Sequence, residues 1–261
     1  MWLQEHVAEA MLSRLRPSEP DFVRSTALGA LAELTAVLGA EMGPWVERLA
    51  AAAAAEMRCA MPQNRHHGVF LLGILVRVRA FSRQRALIAR VFESSACLVL
   101  FRPSAWLQVA QCSEAFAGEA ERTLALIEPL LSDAAPTVVD NACGALGRLA
   151  AAHAEKLPLN KVAAALARLV PLRADFEEAE PVYAAIRGLV LGPHCEAVAA
   201  QRQVLVKALA GGALLAKVPD DVRRGAAAGV REAVARWREL EAAVLVGLSE
   251  SDKQTLQQLA A

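Results

Sequence analysis

Aromatic side chains make up only 5% of this chain, and Tyr183 is its single tyrosine. Four scattered tryptophans beside it offer no platform on which nucleic-acid bases could stack. A surplus of either charge is also missing: 28 basic and 28 acidic residues cancel, so no long-range field draws the chain to nucleic acid or an anionic membrane. Mean hydropathy is +0.31, yet no run of about 18 uninterrupted apolar residues exists. The best candidates, 68–76 and 96–101, are flanked by Arg65, Arg77, Arg79 and Arg102 and are read as core helices, so no membrane insertion is expected. The amino terminus carries Glu5 and Glu9 and lacks a basic and an apolar leader region, so neither a signal nor a transit peptide is expected. Cysteines are five, an odd number, and scattered (Cys59, Cys97, Cys112, Cys143, Cys195). That is the pattern of buried thiols in a reducing compartment, not of a disulfide framework.

What is present is alanine, leucine and a phase that returns. Asp21-Phe22-Val23-Arg24 opens an apolar stripe that is met again after Asn64-Arg65-His66-His67-Gly68, after Thr137-Val138-Val139-Asp140-Asn141 and after Asp220-Asp221-Val222-Arg223. Arg24 to Arg65 and Ala27 to Gly68 are 41 residues; Ala142 to Ala184 and Ala184 to Ala226 are 42. Strong helix formers and small residues at contact positions predict an all-α protein. A period near 40 with paired helices is the signature of HEAT-type repeats, so the expected architecture is an α-solenoid of about six helical hairpins.

Caps, prolines and periodicity predict helices over 2–16, 21–38, 44–58, 62–79, 82–100, 103–116, 118–132, 137–153, 158–170, 177–191, 195–214 and 219–246, the last with room for a bend. A short terminal capping helix follows over 250–260. No low-complexity linker divides the chain, so a single solenoid over 1–261 is expected, with 78–117 as a degenerate repeat. The recurring Arg is expected to sit at the turn between paired helices and to pair along the stack, the small residue after it letting helices approach.

Three stretches carry a resemblance. Leu130-Leu131-Ser132-Asp133 through Val139-Asp140-Asn141-Ala142-Cys143-Gly144-Ala145-Leu146-Gly147-Arg148-Leu149 is similar to a karyopherin repeat. Leu169-Val170-Pro171-Leu172-Arg173-Ala174-Asp175-Phe176-Glu177-Glu178 is similar to a turn late in the importin-β superfamily, and Val246–Gln257 to that family's terminal helix. In order, they resemble the carboxy-terminal third of the importin-four branch, most closely over 129–190. Val139 stands where the family has Arg, and its Ran-binding repeats and acidic insertion have no counterpart in this chain. The resemblance implies a non-enzymatic module of cytoplasm and nucleus that binds protein, basic cargo such as histones or ribosomal proteins being the expected partner. It also implies that Asp140, Asn141, Asp175, Glu177 and Glu178, at the starts of inner helices, meet an extended basic peptide. Carboxylates at helix starts, there and at Asp220 and Asp221, are equally what capping and the helix dipole favour. The alternative function is a structural scaffold subunit of a larger complex without a transport role.

No catalytic, cofactor or metal site is expected. His66 and His67 are adjacent and point about 100° apart on a helix, which does not make a metal pair. None of the five histidines precedes a Glu, the dipeptide that repeat-fold di-iron enzymes require. His194-Cys195 follows Gly192-Pro193 with no orienting carboxylate evident, and the sparse glycines do not make a phosphate loop. Arg236 to Arg238 is read as a solvated helix face.

Overall fold

The structure, a computed structural model, describes residues 2–76, 117–246 and 248–260. Every regular element among them is helical, so the protein is all-α. Its contacts gather into two compact units, 1–126 and 127–261. The degenerate repeat expected over 78–117 lies, but for its last residue, outside the described residues.

Unit 1 contains α1 (Trp2–Ser13), α2 (Asp21–Leu38), a 3-10 stretch (Gly39–Trp45), α3 (Val46–Glu56) and α4 (62–76). Helix α5 (Ala117–Ile127) ends at the boundary. Unit 2 continues with a 3-10 stretch (Glu128–Ser132), α6 (Pro136–His153), α7 (Leu159–Leu169), α8 (Ala179–Leu191), α9 (Arg202–Leu214), α10 (Asp220–Arg236), α11 (Glu239–Leu245) and α12 (Glu250–Ala260). Proline does much of the punctuation. Pro20, Pro158 and Pro219 stand immediately before α2, α7 and α10, and Pro136 opens α6, where a missing N–H costs nothing.

Within unit 2, α6 packs on α8 and α8 on α10, while α7 packs on α9 behind them. Short connections join α6 to α7 and α8 to α9 as hairpins, so the even helices make one layer and the odd ones another. The core is aliphatic: Leu146, Leu149, Leu166, Ile186 and Leu205 are fully buried. The small-residue phase holds at Ala142 and Ala226, both buried, but shifts between them. Ala184 is exposed, and Ala185, 43 residues after Ala142, takes the contact instead.

The recurring Arg has a recurring task. Arg24 donates to the Glu19 carbonyl at 2.7 Å and to Asp21 at 2.7 Å. Arg65 donates to the Cys59 and Ala60 carbonyls at 3.0 and 2.7 Å, and Arg223 to the Ala213 carbonyl at 2.9 Å. Each guanidinium therefore closes the turn that precedes its own helix, satisfying carbonyls that the previous helix or loop leaves open. Pairing to a neighbouring helix is seen at Arg24, whose Nε reaches Glu56 at the end of α3 at 2.8 Å. The small residue after the Arg also works as expected at Gly68, where a β-carbon would lie 2.9 Å from the Ala53 carbonyl.

Two long predicted helices are broken. In 195–214, the first seven residues form a 3-10 stretch (Cys195–Gln201), with Val198 outside helical geometry at φ −115°, ψ 16°. In 219–246, the chain leaves the helix at Trp237 (φ −130°, ψ 85°), whose N–H still closes onto the Ala233 carbonyl. No helix among the described residues is long and apolar enough to cross a membrane.

Candidate functional site

The residues expected to face a basic peptide are drawn into one internal network at the junction of α6, the loop after α7 and α8. Asp140 is 1% exposed, and a single oxygen, Oδ2, accepts from the backbone N–H groups of Arg173, Ala174 and Asp175 at 3.0, 2.6 and 2.9 Å. Three charge-assisted bonds to one carboxylate fix the shape of that loop. Asn141, also 1% exposed, donates Nδ2 to the Thr137 carbonyl at 3.0 Å and to Asp175 Oδ2 at 2.7 Å. The other oxygen of Asp175 accepts from the Glu177 N–H at 3.2 Å and caps the turn that leads into α8.

Glu178 is buried as deeply and lies against α6, where Arg148 holds both its oxygens at 2.7 and 3.2 Å. Burial pushes the Glu178 carboxyl above its ordinary range, and the Arg148 charge pulls it back only in part. The same buried carboxylates act on their neighbours. The Cys143 thiol is driven far up, first by burial and then by Asp140 and Glu178, which makes it inert as a nucleophile. The Tyr183 hydroxyl is pushed up to about 12 by burial, then by Cys143 and Asp140.

Three of the five expected contact residues, Asp140, Asn141 and Glu178, therefore have no face toward solvent and bond inside the unit. Asp175 is half-buried and engaged, and Glu177 alone is exposed. The expectation fails because Asp140 and Asn141 lie one turn inside α6, on the side turned to the next helix, and not at its solvated start.

The sequence carries a signal for this network. Ser25, Asn64 and Asp140, all buried, each stand four residues before a glycine: Gly29, Gly68 and Gly144. That spacing puts both on one helix face. A β-carbon on residue 29 would lie 3.2 Å from the His67 ring, and one on residue 144 would meet the Glu178 carboxylate. In unit 1 the matching polar bonds are Ser25 Oγ to His67 Nδ1 at 3.0 Å and Asn64 Nδ2 to Glu56 at 2.6 Å. A buried polar residue plus a glycine one turn on marks where this chain docks one helix against another.

The two histidines stand edge to face, ring centroids 5.0 Å apart, and both nitrogens of His67 are engaged, by Ser25 and by Gln63 at 3.2 Å. Among the described residues no group of three or more His, Cys, Asp and Glu side chains could hold a metal ion. Cys195 is 4% exposed, with its sulfur 3.5 Å from Arg236 Nη2.

No known family model matches the chain, and no curated protein is significantly similar to it. Among solved structures it is similar to the crystal structure of an engineered protein, a Northeast Structural Genomics Consortium target, with a TM-score of 0.54 at 16% identity. The likeness covers 97% of this chain and 94% of that one, and it concerns the fold alone.

Proposed function

We propose that this chain is a non-enzymatic, protein-binding helical-repeat module of cytoplasm and nucleus, comparable in role to the cargo-binding end of a nuclear import receptor. The observation that supports it is the layer α6–α8–α10, which offers exposed carboxylates at the starts of two neighbouring helices: Glu177 before α8, and Asp220 and Asp221 on α10. Exposed carboxylates at the N-termini of neighbouring helices can take Lys and Arg of an extended segment without rearranging the core. Asp140, Asn141 and Glu178 hold those helices in register behind that surface and do not touch the partner. The test is a titration with a labelled basic, histone-tail-like peptide. Saturable binding is expected, fading as salt rises, and Glu177→Lys is expected to weaken it by ~1–2 kcal/mol. Binding that is undetectable, or that Glu177→Lys leaves intact, ends the basic-cargo reading.

A second reading is a scaffold subunit of a larger complex, favoured by the consumption of Asp140, Asn141 and Glu178 inside the unit. Native size measurement of the endogenous protein separates the two, since a monomeric peak is incompatible with an obligate scaffold.

A further inference from the structure

The two breaks in the predicted helices of unit 2 meet at one place. Trp237, where α10 ends, has the Arg202 guanidinium 4.2 Å and the Arg236 guanidinium 4.5 Å from its ring centroid. Arg202 stands at the other break, where the 3-10 stretch becomes α9. Its Nη2 donates to the Cys195 carbonyl at 3.3 Å and to Glu196 at 3.1 Å, while Arg236 donates to the Leu191 carbonyl at 3.2 Å and to the Cys195 sulfur. Two cations thus share one indole, and the single carboxylate bonded to them among the described residues, Glu196, is 78% exposed. Arg202 Nε is buried and has no hydrogen-bond partner among the described residues.

A ring quadrupole attracts each cation but does not remove their mutual repulsion, nor does it accept the open N–H. An oxyanion beside the two cations offsets that repulsion, and guanidinium groups match the planar, two-oxygen geometry of a carboxylate. The Leu191 carbonyl that Arg236 holds is the last of α8, so this cluster lies at the far end of that 13-residue helix from Glu177, roughly 20 Å away.

We propose that Arg202, Arg236 and Trp237 form a docking site for an acidic segment of a protein partner, with a partner carboxylate entering beside Arg202 and displacing or joining Glu196. Such a site is opposite in sign to the one at the start of α8 and does not depend on it. Arg236 is exposed and available to the ligand; Arg202 is held by the fold and supplies the preformed donor.

The probe is labelled hexaglutamate, followed by anisotropy against the full chain, with inorganic phosphate and hexalysine as separate arms. Saturable hexaglutamate binding is expected, weakened roughly tenfold by Arg236→Gln and by raised salt. Glu196→Gln removes the competing carboxylate and is expected to tighten binding several-fold, a gain that a purely structural Arg cluster does not produce. It also serves as the readout should Arg236→Gln fail to fold, since Glu196 is exposed. The proposal is overturned by no saturable hexaglutamate binding, by affinity unchanged in Arg236→Gln with helicity intact, or by a Glu196→Gln that binds no tighter. Phosphate binding with the same residue dependence but without peptide binding also overturns it, in favour of a free-anion site.

Discussion

The carboxylate of Glu178 occupies the space that a β-carbon on residue 144 would fill, and Glu178 Cβ itself lies 3.1 Å from that position. Gly144 is therefore the residue that lets α6 receive a buried acid from α8. Gly144→Ala is expected to drive Glu178 off Arg148 and to destabilise unit 2 by about 3 kcal/mol or more, combining overpacking with a broken buried pair. Urea unfolding measures it, and a loss below ~0.5 kcal/mol, typical of a surface change, contradicts the placement.

The Arg148–Glu178 pair makes a second expectation. Arg148 is 11% and Glu178 1% exposed, so removing the cation alone strands a buried carboxylate. Arg148→Met is expected to cost about 3–5 kcal/mol, whereas Arg148→Met with Glu178→Gln recovers a large part of that loss. A double variant no more stable than Arg148→Met would show that the carboxylate is not the source of the cost.

The helices that were legible in the sequence are those whose signals are local. Asp21 after Pro20 and the Ser249–Asp252 cap delimit α2 and α12 at the residues expected, 21–38 and 250–260. The break at Val198 has no local marker, nor does the position at Trp237 of the bend allowed within 219–246, because what accompanies them, Arg202 and Arg236 on one indole, is assembled across 35 residues. The site shows the same division. That Asp175 would cap a helix start followed from its position; that Asp140 would take three amides of residues 173–175 could not, since its partners lie more than thirty positions on. Polarity does not mark exposure in this chain, whose buried acids are the ones that set helix register.

Burial holds the His67 imidazole below its ordinary value of 6.5, with His66 adding to the effect. The groups that face it are Ser25 on α2 and Gln63 and His66 on α4, none of them acidic. The folded state thus binds this proton less readily than the unfolded chain. Its contribution to stability is complete above the unfolded value and is lost as pH falls from about 6.5 toward the lowered folded value. Stability is expected to drop between about pH 7.5 and 5.5, and His67→Gln, which cannot titrate, to drop less over the same range. Equal pH dependence in the two proteins would mean that other groups carry it.

The two N-terminal repeat arginines look equivalent by phase and are not equivalent in the structure. Both close a turn by donating to loop carbonyls, but Arg24 also holds Glu56, a carboxylate with 8% side-chain exposure at the end of α3. That carboxylate is shared with Asn64 of α4, so Arg24, Glu56 and Asn64 tie three helices together. Consistent with this, Glu56 raises the Arg24 guanidinium above its ordinary value through its hydrogen bond, against the opposing effect of burial. Arg65→Ala removes, among its bonds, those to the Cys59 and Ala60 carbonyls, which water can replace, and is expected to cost on the order of 1 kcal/mol. Arg24→Ala leaves Glu56 buried with Asn64 as its remaining donor and is expected to cost about 3 kcal/mol. Glu56→Gln on the Arg24→Ala background should return part of that loss, while on the Arg65→Ala background it should not. The four unfolding free energies decide the matter: an Arg24→Ala loss no larger than that of Arg65→Ala would reduce both residues to the same turn-closing role.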